Sequence, residues 1–74
     1  RPSIDGDDVL AWALARAGRC EEALKYSKLA LRLGTRDAAK FFHRGVIERC
    51  LGHGASARTW FARVHATNPY WRQP

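Results

Sequence analysis

Three histidines, His43, His53 and His65, and two cysteines, Cys20 and Cys50, are the side chains of this chain best suited to ligating a metal or attacking a substrate. Cys50 and His53 stand three apart across Leu51-Gly52, but two ligands do not close a zinc site, and neither a CxxC pair nor an HExxH helix is present. No pairing of a nucleophile with a base is legible either. The sequence therefore argues against an enzyme and gives no reason to expect a cofactor or a metal. Two cysteines are too few for the disulfide framework of a small secreted fold, and both read as small apolar residues.

Arg44 and Glu48 lie four apart, the spacing at which opposite charges meet on one helix. Two readings follow. Both side chains could sit at the fringe of an interface and reach water, or they could form a partly buried ion pair that fixes how neighbouring units stack. The chain carries 13 Lys and Arg against 7 Asp and Glu, a formal charge of +6, which favours acidic partners. Arg16, Arg19, Lys25, Lys28, Arg32, Arg36, Lys40, Arg44, Arg49, Arg58 and Arg63 are scattered at helical spacing and read as a solvated basic surface. With charge so dispersed and no nucleic-acid-reading motif, a basic nucleic-acid-binding repeat is only the alternative reading.

The elements that must position these groups are helices. Acids at Asp5, Asp7 and Asp8 mark a helix start, and Val9, Leu10, Ala13, Leu14 and Ala17 recur along one face until Gly18. Glu21 and Glu22 open a second helix, whose face is Ala23, Leu24, Ser27, Ala30 and Leu31; it runs to Leu33 and stops at Gly34. Thr35 is the expected N-cap of a third, carrying Ala38, Phe41, Phe42, Gly45, Val46 and Leu51 up to Gly52. Ala55 to Thr67 forms a fourth around Ala57, Phe61 and Val64, ended by Asn68-Pro69. Turns this short make consecutive helices antiparallel neighbours.

An apolar share of 46% is enough for a folded core, and 74 residues make one small domain that buries roughly 60% of its unfolded surface. No apolar stretch approaches the roughly 20 residues of a membrane span. A chain that opens on Arg1-Pro2 without Met or leader and closes on Gln73-Pro74 reads as a segment of a longer protein.

Displacing the sequence by 34 positions superposes Ala11 on Gly45, Gly18 on Gly52, Ala23 on Ala57, Tyr26 on Trp60 and Ala30 on Val64. A period of 34 with two helices per unit resembles the tetratricopeptide repeat, whose pattern is W-x2-L-G-x2-Y, then A-x3-F, then P. In the second unit Phe41 takes the aromatic place, Gly45 the small one, Ala57 and Phe61 the A-x3-F pair and Pro69 the proline. In the first, Leu10, Ala11, Leu14 and Ala23 match. Asp7, Ser27, Thr35, Arg44 and Glu48 depart from the pattern.

The resemblance implies an all-α fold: two antiparallel helix-turn-helix units, 7–34 and 35–69, stacked as a short right-handed superhelix. A lead-in segment, 1–6, precedes them, and 70–74 forms the stub of a capping helix or next unit. Ala11 with Ala23, and Gly45 with Ala57 and Phe61, are the expected close inter-helix contacts. The resemblance also implies a protein-interaction or scaffold module that lays a peptide or partner protein on the concave face of the first helices. Asp8, Trp12 and Arg16 would line that groove beside Phe42, Val46 and Arg49. Trp12 and Phe42 would anchor the ligand or belong to the core between units, and Arg16 and Arg49 could bind carboxylates. Asp8 and Trp12 stand where a Lys and Asn carboxylate clamp would begin, which disfavours an adaptor for chaperone tails. Tyr26 and Trp60 are expected on an exposed flank, and Tyr70-Trp71 as an exposed aromatic pair. Two units fall short of the three such stacks need for stability, so a homo-oligomer burying its end faces or a low melting temperature is expected.

Overall fold

The glycines and acids that punctuate the sequence set the helix ends. A computed structural model describes residues 4–32 and 34–72. Among them are four helices, α1 (Ile4–Arg16), α2 (Cys20–Leu31), α3 (Ala38–Cys50) and α4 (Gly54–Thr67), and no strand. The helix α1 begins at Ile4, inside the expected lead-in segment, so Gly6 is helical. The acids at its start favour that end, and one glycine costs a helix only about 1 kcal/mol. Positions 1–3, Leu33 and the final Gln73-Pro74 lie outside the described residues.

The 34-residue period is written into the backbone of the two hairpin turns. Gly18 and Gly52 have φ of 83° and 81°, a region open to glycine at no steric cost. Around the first, Arg19 N donates to Leu14 O at 2.8 Å and Gly18 N to Ala15 O at 3.0 Å. Around the second, His53 N donates to Glu48 O at 2.8 Å and Gly52 N to Arg49 O at 3.0 Å. These are the bonds that satisfy the last carbonyls of a helix, and they recur at the same offsets in both turns. The link between hairpins differs: Asp37, rather than Thr35, caps α3, its carboxylate accepting from Ala39 N at 2.9 Å.

The helices pair as two hairpins, α1 with α2 and α3 with α4, and α3 packs against both helices of the first hairpin. Ala11 and Ala23 are fully buried beside Ile47, which reaches in from the second hairpin, with Leu14, Leu24, Tyr26 and Leu51 around them. A second cluster joins Ala38, Phe41 and Val64 to Leu31, Phe42, Trp60 and Trp71. Ala57 is buried as expected, and the close approach at Gly45 is to the ring of Phe61.

Two expectations about packing are corrected. Cys20 and Cys50 are not free apolar residues: they form a disulfide with a Cα–Cα distance of 6.3 Å, joining the start of α2 to the end of α3. It staples the two hairpins together at the edge where their turns lie. The buried face of α1 is also not the one its periodicity marks. Asp7, Asp8 and Ala11 are buried, whereas Val9 is 68% and Leu10 40% exposed, and Ala13 and Ala17 face solvent. One period on, these four positions are His43, Arg44, Ile47 and Leu51, three of which (His43, Ile47 and Leu51) pack on the first hairpin. The stripe on α1 is thus exposed, and among the described residues nothing covers it.

Candidate functional site

The capped start of α3 places Phe42 and His43 beside α1. The imidazole of His43 stacks on Trp12, ring centroids 4.3 Å apart and planes 19° from parallel. Its Nδ1–H donates to both oxygens of Asp8, at 2.9 and 3.1 Å. Phe42 continues the line of rings, 6.1 Å from Trp12, 5.7 Å from Phe61 and 4.8 Å from Trp71. One aromatic run therefore crosses from α1 through α3 to α4 and the chain beyond it.

Trp71 reaches this run because the chain turns sharply after α4. The Asn68 side chain accepts from Tyr70 N at 3.1 Å, its carbonyl accepts from Trp71 N at 3.0 Å, and Pro69 between them cannot continue a helix. Residues 70–72 are accordingly not helical. Tyr70 is 90% exposed, but Trp71 folds back and is half-buried, so the expected exposed pair is a single exposed tyrosine.

Of the six groove residues read from the sequence, Asp8, Trp12 and Phe42 meet through His43, which the sequence reading had not placed there. Asp8 is buried and spends its carboxylate on His43, while Trp12, Phe42 and Val46 are half-buried. Arg16 and Arg49 are exposed, Arg49 with its guanidinium 5.5 Å from the Phe61 ring. Phe42, Arg49, Phe61, His65 and Trp71 border a hollow of about 320 Å³. A floor of rings with the Arg49 guanidinium at its edge can take an apolar side chain and bind a carboxylate beside it.

The ion pair at Arg44 and Glu48 is buried, with side chains 12% and 6% exposed, so neither group snorkels to water. Arg44 Nε donates to Glu48 Oε2 at 2.7 Å and His53 Nδ1–H to Glu48 Oε1 at 2.6 Å, leaving both oxygens engaged. Arg44 also lies over Trp60, 4.8 Å from its centroid. These partners all belong to the second hairpin, so the pair ties α3 to α4 rather than setting how the hairpins stack. Burial acts to raise the Glu48 carboxyl, but the hydrogen bonds and charges of His53 and Arg44 outweigh it and hold the group below its ordinary value.

Lys40 is buried too, its ammonium 3.0 Å from Asp37, so the basic residues are not uniformly a solvated surface. Cys50 and His53, the nearest to a ligand pair in sequence, are engaged in the disulfide and with Glu48. Tyr26 and Trp60 are half-buried, Trp60 with Phe41 at 5.8 Å, so that flank is not an exposed aromatic surface. Among the described residues no helix is long and apolar enough to cross a membrane. No family model, no curated protein and no solved structure matches this chain.

Proposed function

We propose that this chain is a tetratricopeptide-like helical repeat module that holds a segment of another protein along the face presented by α1 and α3. The observation that carries the reading is the aromatic run from Trp12 to Trp71, with exposed Arg49 over Phe61 at its edge and exposed Arg16 one helical turn after Trp12 on α1. Large flat rings bury much area at small entropic cost, and guanidinium groups add bidentate recognition of carboxylates. The shared geometry of the two turns supports the repeat, and a short right-handed superhelix belongs to the same proposal. A chain of charge +6 would also steer acidic partners towards it.

Selection from a displayed peptide library tests this. Recovered peptides should carry acidic residues beside an apolar anchor, and Arg16→Glu with Arg49→Glu should abolish their binding without moving the unfolding midpoint. Peptides that bind this double variant as tightly as the parent chain would sink the proposal.

A second reading, self-association, is favoured by the exposed stripe of Val9, Leu10, Ala13 and Ala17 on α1. In this reading a second copy covers the stripe much as the first hairpin covers the equivalent positions of α3.

A further inference from the structure

A crevice of about 340 Å³ opens between the end of α2, the link to α3 and the second half of α4, and it shares no residue with the six groove positions on α1 and α3. Its apolar lining includes Leu31, Phe41, Trp60 and Ala66, and its polar lining includes Thr35, Arg36 and Arg63. Among the described residues no acidic one borders it. Arg63 lies over Trp60 with its guanidinium carbon 4.6 Å from the ring centroid, and among the described residues no carboxylate pairs with it or with Arg36. Stacking on the indole limits the rotamers of Arg63 while leaving its N–H donors at the ring's edge unspent.

We infer that this crevice binds a carboxylate of a peptide, with the apolar residue beside that carboxylate seated on Leu31, Phe41 and Trp60. The charge of the lining selects an anion, and the apolar wall selects one attached to an apolar group. The indole argues against a nucleotide. Arg44 and Arg63 both lie over Trp60, at 4.8 and 4.6 Å, so a base stacking flat on a ring face would have to displace a guanidinium. An aliphatic side chain can rest against Leu31, Phe41 and the half-buried indole without doing so. The carboxylate could be a chain terminus or an Asp or Glu side chain, and the same chemistry serves both.

The test is an amide-resolved NMR titration of the folded 74-residue chain with three peptides. Acetyl-Gly-Gly-Leu with a free terminus offers a terminal carboxylate, acetyl-Gly-Glu-Leu-amide offers a side-chain carboxylate, and acetyl-Gly-Gly-Leu-amide offers none. Saturable shifts at the amides of Gly34, Thr35 and Arg36 and at the Trp60 indole N–H are expected with one or both acidic peptides and not with the neutral one. Whichever acidic peptide binds identifies the source. Read at these amides, Arg63→Gln and, separately, Arg36→Gln should each weaken binding at least fivefold, and Arg58→Gln, exposed on α4 outside the crevice, should leave it unchanged. Arg36 lies in an exposed link, so its variant keeps the test decisive if Arg63→Gln perturbs the packing on Trp60. An equal effect of the neutral peptide at the crevice amides, no shifts at Gly34, Thr35 and Arg36 whatever happens at Phe42 and Arg49, or unchanged affinity at those amides in Arg36→Gln would each overturn the assignment. So would a single-stranded oligonucleotide that displaces the peptide at equal concentration.

Discussion

The ring of Phe61 lies so close over Gly45 that a Cβ at position 45 would stand 2.5 Å from ring carbon Cε1 and 2.7 Å from Cδ1. One period earlier the same two places hold Ala11 and Ser27, both fully buried. The first hairpin thus places a methyl group opposite a small side chain, and the second no side chain opposite a large one. The absence of a side chain at Gly45 makes room on α3 for a ring that Ala11 would not admit at so close an approach.

Gly45→Ala weighs two effects of opposite sign. Alanine favours the helix by about 1 kcal/mol, and forcing a methyl group against a packed ring costs about 1–3 kcal/mol. We expect a net loss of about 1 kcal/mol in urea denaturation. In a Phe61→Leu background the clash is relieved, and the same substitution should become neutral or stabilising. A Gly45→Ala variant more stable than the parent chain would show that the contact yields easily.

The disulfide closes a sequence separation of 30 residues. Interpolating between the chain-entropy values for shorter and longer loops gives a stabilisation of about 3–4 kcal/mol, large for a domain of two hairpins. Thermal unfolding with and without a reductant should show the midpoint falling by at least about 10 °C on reduction, given roughly 4–8 °C per kcal/mol for a domain this size. Cys20→Ser with Cys50→Ser should reproduce the fall and be insensitive to reductant. If reduction leaves the midpoint where it was, the bond does not tie the hairpins together.

The helices, their order and their glycine stops were legible because glycine with positive φ and acids at helix starts act locally. Faces were harder. Val9, Leu10, Ala13 and Ala17 satisfy the helical period as well as any core, and periodicity alone cannot tell an inner face from a stacking face left open at the end of a row. Ile47 was passed over because Val46 and Leu51 continued the expected stripe of α3, although Ile47 is the position that enters the first hairpin's core. The disulfide left a signal in the register rather than in the spacing. Cys20 opens the second helix of one unit and Cys50 closes the first helix of the next, and stacking brings those ends to one edge. His43 had no such signal, since its pairing with Asp8 depends on α1 and α3 lying side by side.

Glu48 makes stability depend on pH in a definite direction. Its carboxyl is held below the ordinary glutamate value near 4.5, so the folded state binds that proton less readily than the unfolded chain does. The contribution is fully present above the unfolded value and is lost as pH falls through the lower folded one. Asp37, also lowered, with Lys40 and the amides of Ala39 and Lys40 outweighing its burial, acts in the same sense through the acid range. Urea denaturation from pH 7 down to pH 3 should show stability falling chiefly below about pH 4.5, and Glu48→Gln should flatten part of that fall. Arg44→Ala at pH 7 should cost well over about 1 kcal/mol, because it strips a partner from a buried carboxylate. A loss near zero would return the pair to the solvated fringe.

The open stripe on α1 sets the last expectation, which concerns association. Val9 and Leu10 are large and exposed, and Ala13 and Ala17 between the turns let a facing helix approach closely. Two copies of charge +6 repel, so association should strengthen as salt screens them, with a Debye length of about 8 Å at physiological ionic strength. Light scattering should show mass rising with concentration and with salt. Val9→Glu with Ala13→Glu should keep the chain monomeric at unchanged helical content, since both positions face solvent in the single chain. The charge of those two glutamates reduces the net repulsion between copies, so a loss of association could come only from the stripe itself and not from stronger repulsion overall. A monomer of constant mass at every concentration and salt would instead leave this face to a hairpin of different sequence.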